Sequence, residues 1–129
     1  MSLTLRLLPN ELTIIRLPPD LPVPSWYLHS GAAPLSSITR TASELSIVCP
    51  SSASIPDGLK SESGWRALVV DEKLEFSAIG ILSAILNPLA AAGINILSIS
   101  TFDTDYVLVP ATLLPQALAA VRPHFNVVP

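Results

Sequence analysis

Proline is the residue that most restricts what this chain can fold into. The 129 residues include 13 prolines, and eight of them lie within the first 56 residues. A proline inside a helix removes a backbone hydrogen bond and its ring clashes with the preceding turn, so long helices are disfavoured in that half. The second half carries the other five prolines and is freer to form helices. The distribution therefore predicts a mostly β first half and a mixed second half.

Composition excludes several classes of protein. Half of the residues are hydrophobic and 13% are charged, which excludes intrinsic disorder. The formal net charge is -3 and no basic cluster is present, so nucleic acid is not an expected partner. Cys49 is the single cysteine, so the chain cannot form a disulfide within itself, and a reducing cytoplasm is the expected compartment.

The segment from Phe76 to Phe102 contains no ionisable side chain. Its length requires that a membrane span be considered. Five polar or helix-interrupting residues argue against a span: Ser83, Asn87, Pro88, Gly93 and Asn95. We therefore interpret the segment as a helix followed by a strand and expect no membrane partner.

Short apolar runs with turn residues between them characterise the first half. Leu3–Leu8 and Glu11–Leu17, separated by Pro9-Asn10, predict a hairpin. The segment Pro18–Pro34 holds five of the prolines and is interpreted as irregular, with at most one helical turn. These elements leave little of the first half for helix.

A second strand pair and a linker complete the first half. Leu35–Arg40 and Glu44–Cys49 predict the pair, and the polar segment Ser51–Gly64 predicts the linker. We therefore expect two domains, residues 1–60 and residues 61–129.

The second half follows the order strand, helix, strand, strand, helix, strand. Ser77 suits the N-cap of the first helix, Gly93 suits its end, and Pro88 is expected to kink or restart it. The predicted elements are the strand Trp65–Val70, the helix from Ser77, the strands Ile94–Ser100 and Tyr106–Val109, the helix Thr112–Val121 and the strand Phe125–Val128.

This βαββαβ order predicts an α+β fold, a ferredoxin-like sandwich. Such a sandwich has one antiparallel sheet with both helices on one face, and its first and third strands are central. A weak internal echo between residues 37–50 and residues 98–110 suggests a duplication. The first half would then be a degenerate copy in which the proline-rich segment replaces the first helix.

The predicted topology brings two polar segments to the same edge of the sheet. Residues 77–80 form a helix start whose free N–H groups can hold a carboxylate, and Gly80 permits close approach. Residues 100–105 include Asp103 and Asp105, whose carboxylates can hold an ammonium or a guanidinium. Together they describe a site for an amino acid. The alternative is an ordinary N-cap beside an Asp-rich hairpin turn.

Other chemical groups fit structural roles better than reactive ones. Cys49 is expected to be a buried apolar residue, and the two tryptophans to be core anchors. Neither histidine belongs to a metal-ligand spacing, and the acidic residues around Asp71 are interpreted as a solvated turn. No catalytic triad, phosphate loop or pair of catalytic carboxylates is recognisable. We expect no enzyme, no metal and no cofactor.

Three segments in order resemble the ACT domain. They are residues 74–82, residues 88–94 and residues 100–109. More narrowly, they resemble the branch shared by small bacterial ACT proteins and the CASTOR arginine sensors, with relatives in the regulatory part of aspartate kinases. The resemblance covers residues 65–128 well and residues 44–48 more loosely.

The resemblance implies a non-enzymatic regulatory protein that binds an amino acid between ACT units. Main-chain groups of the ligand would be met by Ser77, Ile79, Gly80 and Ile81. Its side-chain pocket would be shaped by Thr101, Phe102 and Asp105, with Asp105 as the cation partner. ACT units commonly pair, so a homodimer and a regulated protein partner are implied. The alternative is a dimerisation or interaction module whose ligand site is vestigial.

Overall fold

The computed structural model describes residues 3–28, 33–72 and 79–129. Its strands are β1 (Thr4–Leu7), β2 (Leu12–Leu17), β3 (Ser37–Arg40), β4 (Leu45–Pro50), β5 (Lys60–Val70), β6 (Leu97–Ser100), β7 (Asp105–Pro110) and β8 (Asn126–Val128). Its helices are α1 (Ser25–Leu28), α2 (Ile81–Ala91) and α3 (Leu114–Val121), with a 3-10 turn at Ala111–Leu113 before α3.

The chain forms two compact units. The N-terminal unit comprises residues 10–64, and the ACT-like unit joins residues 1–9 to residues 65–129. The first five residues of β5 therefore belong to the N-terminal unit, and its last six belong to the ACT-like unit. The division into domains at residues 60 and 61 stays a prediction.

The N-terminal unit is a sheet covered by a short helix and loops. β4 pairs antiparallel with β2 and with β3, which confirms the predicted pairing of the strands on either side of Thr41. Five residues form its core: Ile15, Leu17, Leu45, Ile47 and Cys49. Trp26 and Tyr27 of α1 pack against that core, so the proline-rich segment contains one helical turn, as predicted.

The predicted hairpin between the first two strands is wrong. β1 pairs with β5 and β8, whereas β2 pairs with β4. Burial explains the difference, because Leu5 of β1 is fully buried in the core of the ACT-like unit, while Ile15 of β2 is fully buried in the other core. Pro9 and Asn10 thus connect the two units.

The ACT-like unit has the predicted α+β fold. β5 pairs with β7, and β7 with β6, all antiparallel, so the first and third strands of the βαββαβ order are central. The last strand differs from the expected arrangement. β8 pairs in parallel with β1, which itself pairs antiparallel with β5, so β1 lies between β5 and β8. The N-terminal strand occupies the edge of β5 that a four-stranded sandwich leaves to its last strand.

Both helices pack on one face of this sheet, as predicted. One cluster contains Ile85 and Leu89 of α2 together with Ala117 and Val121 of α3. The same cluster includes residues of the three adjacent strands: Leu5, Leu68, Val70, Val107 and Val109. Alternation along a strand then places Val69 and Tyr106 on the opposite face, since these two are register partners.

The ends of α2 are set by two glycines. Gly93 has φ +74 and donates to Ala90 O at 3.0 Å, and Ile94 donates to Leu89 O at 3.0 Å. These two bonds form a Schellman motif and confirm the predicted helix end. The predicted start is wrong, because α2 begins at Ile81 with Gly80 as its N-cap at φ +80. Ser77 itself lies outside the described residues.

Three further predictions are changed by the structure. The expected linker Ser51–Gly64 is wrong at its end, since Lys60–Gly64 starts β5. The strand after α2 is shorter than predicted and begins at Leu97, because the amide of Ile94 is used to close the helix. α2 continues past Pro88 to Ala91, so the expected restart does not occur, and the kink stays a prediction.

Of the uncharged segment from Phe76 to Phe102, the structure describes residues 79–102, which contain α2 and β6. In the described part of the chain, no helix is long and apolar enough to cross a membrane.

Candidate ligand-binding site

The turn between β6 and β7 is held by its own threonines. The backbone N–H of Thr101 donates to Thr104 O at 2.9 Å, and the Thr101 hydroxyl donates to the same oxygen at 3.1 Å. In return, the backbone N–H of Thr104 donates to Thr101 Oγ1 at 3.3 Å. The turn is therefore a defined structure rather than a loose connection.

Asp105, the residue expected to be the cation partner, accepts a short hydrogen bond from a neighbouring strand. Ser100 and Asp105 are register partners, and the Ser100 hydroxyl donates to Asp105 Oδ1 at 2.6 Å. Asp105 alternates with Val107 and Val109, which places it on the helix-covered face of the sheet. Its second carboxylate oxygen remains for a ligand or for solvent.

The turn is joined to the end of β5. The hydroxyl of Thr104 donates to the backbone oxygen of Val70 at 2.8 Å, in a partly buried position. The end of β5 and the turn between β6 and β7 therefore lie at one edge of the sheet.

A shallow depression of about 400 Å³ lies at this edge. Its walls carry three carboxylates and a phenol, and its residues are Val69, Val70, Asp71, Glu72, Asp103, Thr104 and Tyr106. Val69 and Tyr106 lie on the face opposite the helices, whereas Val70 lies on the helix-covered face, so the depression lies at the edge where the two faces meet. Its chemistry suits a small cationic group, because the carboxylates accept hydrogen bonds and carry negative charge.

One wall of the depression is tied to β1. Arg6 Nη2 lies 2.5 Å from Asp71 Oδ2, with the two side chains 44% and 39% exposed. The hydrogen bond and the charge of Asp71 raise the pKa of the Arg6 guanidinium. Nη1 of Arg6 also donates to the backbone oxygen of Pro129 at 3.0 Å. Asp71 is therefore charge-compensated.

Only some of the residues predicted for the site lie at the depression. Asp103 lines the depression, and Thr101 holds the turn beside it. Phe102 is 76% exposed, and Ile79 is 95% exposed just before the helix. Ile81 packs against the core beneath the helices rather than lining the depression.

Gly80 and Ser77 complete the predicted set. Gly80 is exposed, and its φ of +80 explains why a glycine stands at the helix start. A Cβ there would meet no atom within 4 Å, so the requirement is conformational and not a matter of space. Ser77 lies outside the described residues.

Six of the seven lining residues were not predicted as site residues, and four of these six are polar: Asp71, Glu72, Thr104 and Tyr106. The first two had a usable signal, because an acidic pair directly follows a buried strand at the edge where the site was expected. Among the described residues, no group of three His, Cys, Asp or Glu side chains is placed to hold a metal ion.

Family models cover most of the chain. One described as the ACT domain matches residues 60–123. A second, describing an N-terminal domain, matches residues 10–57. No curated protein matches the sequence.

Solved structures resemble nearly the whole chain. A protein from Agobacterium tumefaciens is 29% identical with a TM-score of 0.88, over 99% of this chain and 93% of its own. A Vibrio cholerae protein of unknown function is 25% identical with a TM-score of 0.71, over 95% and 90%. The ligand-free regulatory subunit of aspartate kinase from Thermus thermophilus shares the fold at 16% identity and a TM-score of 0.66, over 92% and 95%.

The matched residues 60–123 contain β5, α2, β6, β7 and α3, the elements that form the sandwich and the sheet edge described above. The family match identifies them as an ACT domain, and the fold resembles that of the regulatory subunit of aspartate kinase from Thermus thermophilus.

Proposed function

We propose that this protein is a non-catalytic regulatory protein that binds an amino acid at the edge of its ACT sheet. The observation that carries the proposal is the hydrogen bond from Thr104 Oγ1 to Val70 O, which joins the β6–β7 turn to the end of β5. The depression held at this junction lies at the edge where the ACT resemblance implies the ligand.

Charge at the depression supports an ammonium-bearing ligand. Asp71, Glu72 and Asp103 line it, and Asp71 is paired with Arg6. A charge-assisted hydrogen bond to one of these carboxylates is stronger than a neutral one. The α-ammonium of an amino acid is the proposed occupant.

The ligand's carboxylate would be met by the start of α2. The first N–H groups of a helix have no partner within the helix, and a glycine cap leaves them accessible. In this proposal Ser77, Ile79, Gly80 and Ile81 contact the main-chain groups of the ligand. Thr101, Phe102 and Asp105 then shape the space around its side chain.

A second copy of the chain would complete the site. Ile79 and Phe102 are large apolar side chains at 95% and 76% exposure, and such exposure is typical of interaction sites. We propose a homodimer in which an ACT unit of the second copy covers them, in the reducing cytoplasm, with a regulated protein as the further partner. The first half, residues 1–60, is then a degenerate ACT-like unit.

Screening of the twenty amino acids tests the proposal. We expect at least one, at millimolar concentration, to raise the melting temperature and to give a calorimetric binding signal. Glu72→Gln and Asp103→Asn should each weaken that binding about fivefold, the effect of an exposed charge pair. Asp57→Asn, an exposed acidic residue of the N-terminal unit, is the matched control and should leave it unchanged. No response to any amino acid would reject the proposal.

An interaction module with a vestigial ligand site is the second candidate. The bond from Ser100 to Asp105 Oδ1 favours it, because part of the expected cation partner is used inside the turn. Asp105→Ala separates the two functions. A ligand-binding protein loses its amino-acid response in this variant, whereas an interaction module has no such response and keeps its assembly state in sedimentation.

A further inference from the structure

A second depression, of about 180 Å³, lies in the N-terminal unit. Residues of β2, β4 and β5 and of the turn before β4 line it, among them Ile14, Arg16, Glu44, Ser46, Lys60 and Glu62. β2 lies between β4 and β5. Because Ile15 and Leu17 of β2 belong to the core, alternation places Arg16 on the opposite face of the sheet. Ser46 is the register partner of Arg16, so the two side chains lie side by side on that face.

The guanidinium of Arg16 is held at the turn between β3 and β4. Its Nη2 donates to Ser43 O at 2.9 Å. Thr41 closes this turn. Its N–H donates to Glu44 O at 2.9 Å, and its hydroxyl oxygen accepts hydrogen bonds from the N–H groups of Ser43 and Glu44 at 3.2 and 3.1 Å. A guanidinium carries several N–H donors, so Arg16 is positioned by the fold and can still bind a further acceptor.

Charges of both signs line this depression. Arg16 and Lys60 supply the positive charges, and Glu44 and Glu62 supply the negative ones. Within residues 3–28, 33–72 and 79–129, none of these four side chains forms an ion pair. An ion of one sign would meet as many like charges as opposite charges here, whereas a zwitterion can place each of its charges against an opposite one. The balance of charge therefore favours a zwitterionic ligand.

We propose that this depression is a second ligand site, which binds a small zwitterion with a carboxylate and an ammonium. Its volume of about 180 Å³ is below the roughly 300–1,000 Å³ of pockets for drug-sized ligands, so the ligand is a small molecule. The ligand's carboxylate contacts the guanidinium of Arg16 and the hydroxyl of Ser46, and its ammonium contacts Glu44 or Glu62. All of these residues belong to the N-terminal unit, so the site does not depend on the proposed function of the ACT sheet.

Amide NMR of the isotope-labelled full chain tests the proposal, with glycine as the probe. We expect millimolar glycine to shift the amide signals of Arg16, Ser46 and Glu62. Acetate and methylammonium each carry one of the two charges of glycine. Each should bind about fivefold more weakly, which is the effect of losing one partly exposed charge pair. Acetate or methylammonium binding here as tightly as glycine would mean a site for single ions and would overturn the proposal.

Substitutions at the depression give the second test. Arg16→Gln should weaken glycine binding about fivefold, and at least one of Glu44→Gln and Glu62→Gln should weaken it about twofold to fivefold. Glu62 is exposed, so its variant tests the site even if Arg16→Gln fails to fold. Asp57→Asn, at an exposed acidic residue of the same unit outside the depression, is the matched control and should leave the affinity unchanged. Unchanged glycine affinity in a folded Arg16→Gln variant, or in both glutamate variants, would overturn the proposal.

The location of the shifted signals separates this proposal from the proposed function. Shifts at Arg16 and Ser46 support the second site whether or not residues 101–106 also respond. Glycine shifts confined to residues 69–72 and 101–106 would place the ligand at the edge of the ACT sheet alone and overturn the second site. If glycine shifts no amide signal, the second site is rejected, while the other amino acids still test the proposed function.

Discussion

The two units of this chain cover their sheets by different means. In the ACT-like unit, α2 and α3 cover one sheet face with a core that includes Ile85, Leu89 and Val121. In the N-terminal unit the cover consists of the one-turn helix α1, with Trp26 and Tyr27, and of loop residues such as Ile55. The prolines explain the difference, because they prevent a long helix in the segment between β2 and β3.

The comparison shows that large aromatic side chains can take the place of a helix over a small sheet. A tryptophan and a tyrosine bury as much apolar area as several aliphatic residues, and they need little regular backbone to do so. We expect a cover of this kind to be less rigid than a helix. A helix holds its side chains in fixed positions, whereas a loop can move into a space that a substitution opens.

The largest expected effect compares the same substitution in the two cores. Leu89 of α2 and Leu45 of β4 are 0% and 1% exposed. Truncation of a buried leucine to alanine costs about 2.7–5 kcal/mol, and the cost depends on how far the site can collapse. We expect Leu89→Ala to lie near the upper end, because the Schellman bonds fix the last turn of α2. Leu45→Ala should lie near the lower end.

Urea denaturation followed by circular dichroism measures both free energies of unfolding. Leu28→Ala, at a residue 68% exposed in the same unit as Leu45, is the control and should change stability by less than about 0.5 kcal/mol. Equal losses for the two buried leucines, or a larger loss for Leu45→Ala, would show that the loop cover is as rigid as the helices.

An intermediate effect is expected at the aromatic cover. Trp26 is only partly buried, so Trp26→Ala should cost about 2 kcal/mol, below the range for a fully buried aromatic residue. Trp26→Phe keeps a ring over the core and should recover about half of the loss. The same denaturation measurement applies. A Trp26→Ala variant as stable as the wild-type chain would mean that the N-terminal core is covered without this residue.

Local patterns predicted the elements well and their partners less well. Gly93 predicted the end of α2, and the strand pair around Thr41 followed from two apolar runs with a polar turn between them. The partners of β1 could not be predicted. Its apolar run could pair with any exposed sheet edge. The choice of β5 depends on the packing of Leu5 with residues more than sixty positions away.

The same limit applies to the candidate site. The shared edge of the end of β5 and the β6–β7 turn followed from topology, and Asp103 was expected there. The contact of Arg6 with Asp71 depends on β1 lying beside β5, which is a property of register and not of spacing along the chain. A site built by non-local pairing is visible only once the pairing is known.

The smallest expected effect is the contribution of the buried Cys49 thiol to the pH dependence of the free energy of unfolding. Cys49 is fully buried in the N-terminal core, and burial raises the pKa of its thiol above the ordinary value of 9.0. The folded state then holds the proton more tightly than the unfolded state. The resulting stability is complete below pH 9 and is lost as the pH rises through the pKa of the folded state.

We therefore expect the free energy of unfolding to fall more between pH 8 and pH 10 in the wild-type chain than in Cys49→Ala. The difference should be on the order of 1 kcal/mol. Denaturation at the two pH values measures it, and comparison of the two pH dependences removes the constant cost of the cavity. Parallel pH dependences would show that the loops over this core admit enough water to solvate the thiolate of Cys49, although the side chain is fully buried.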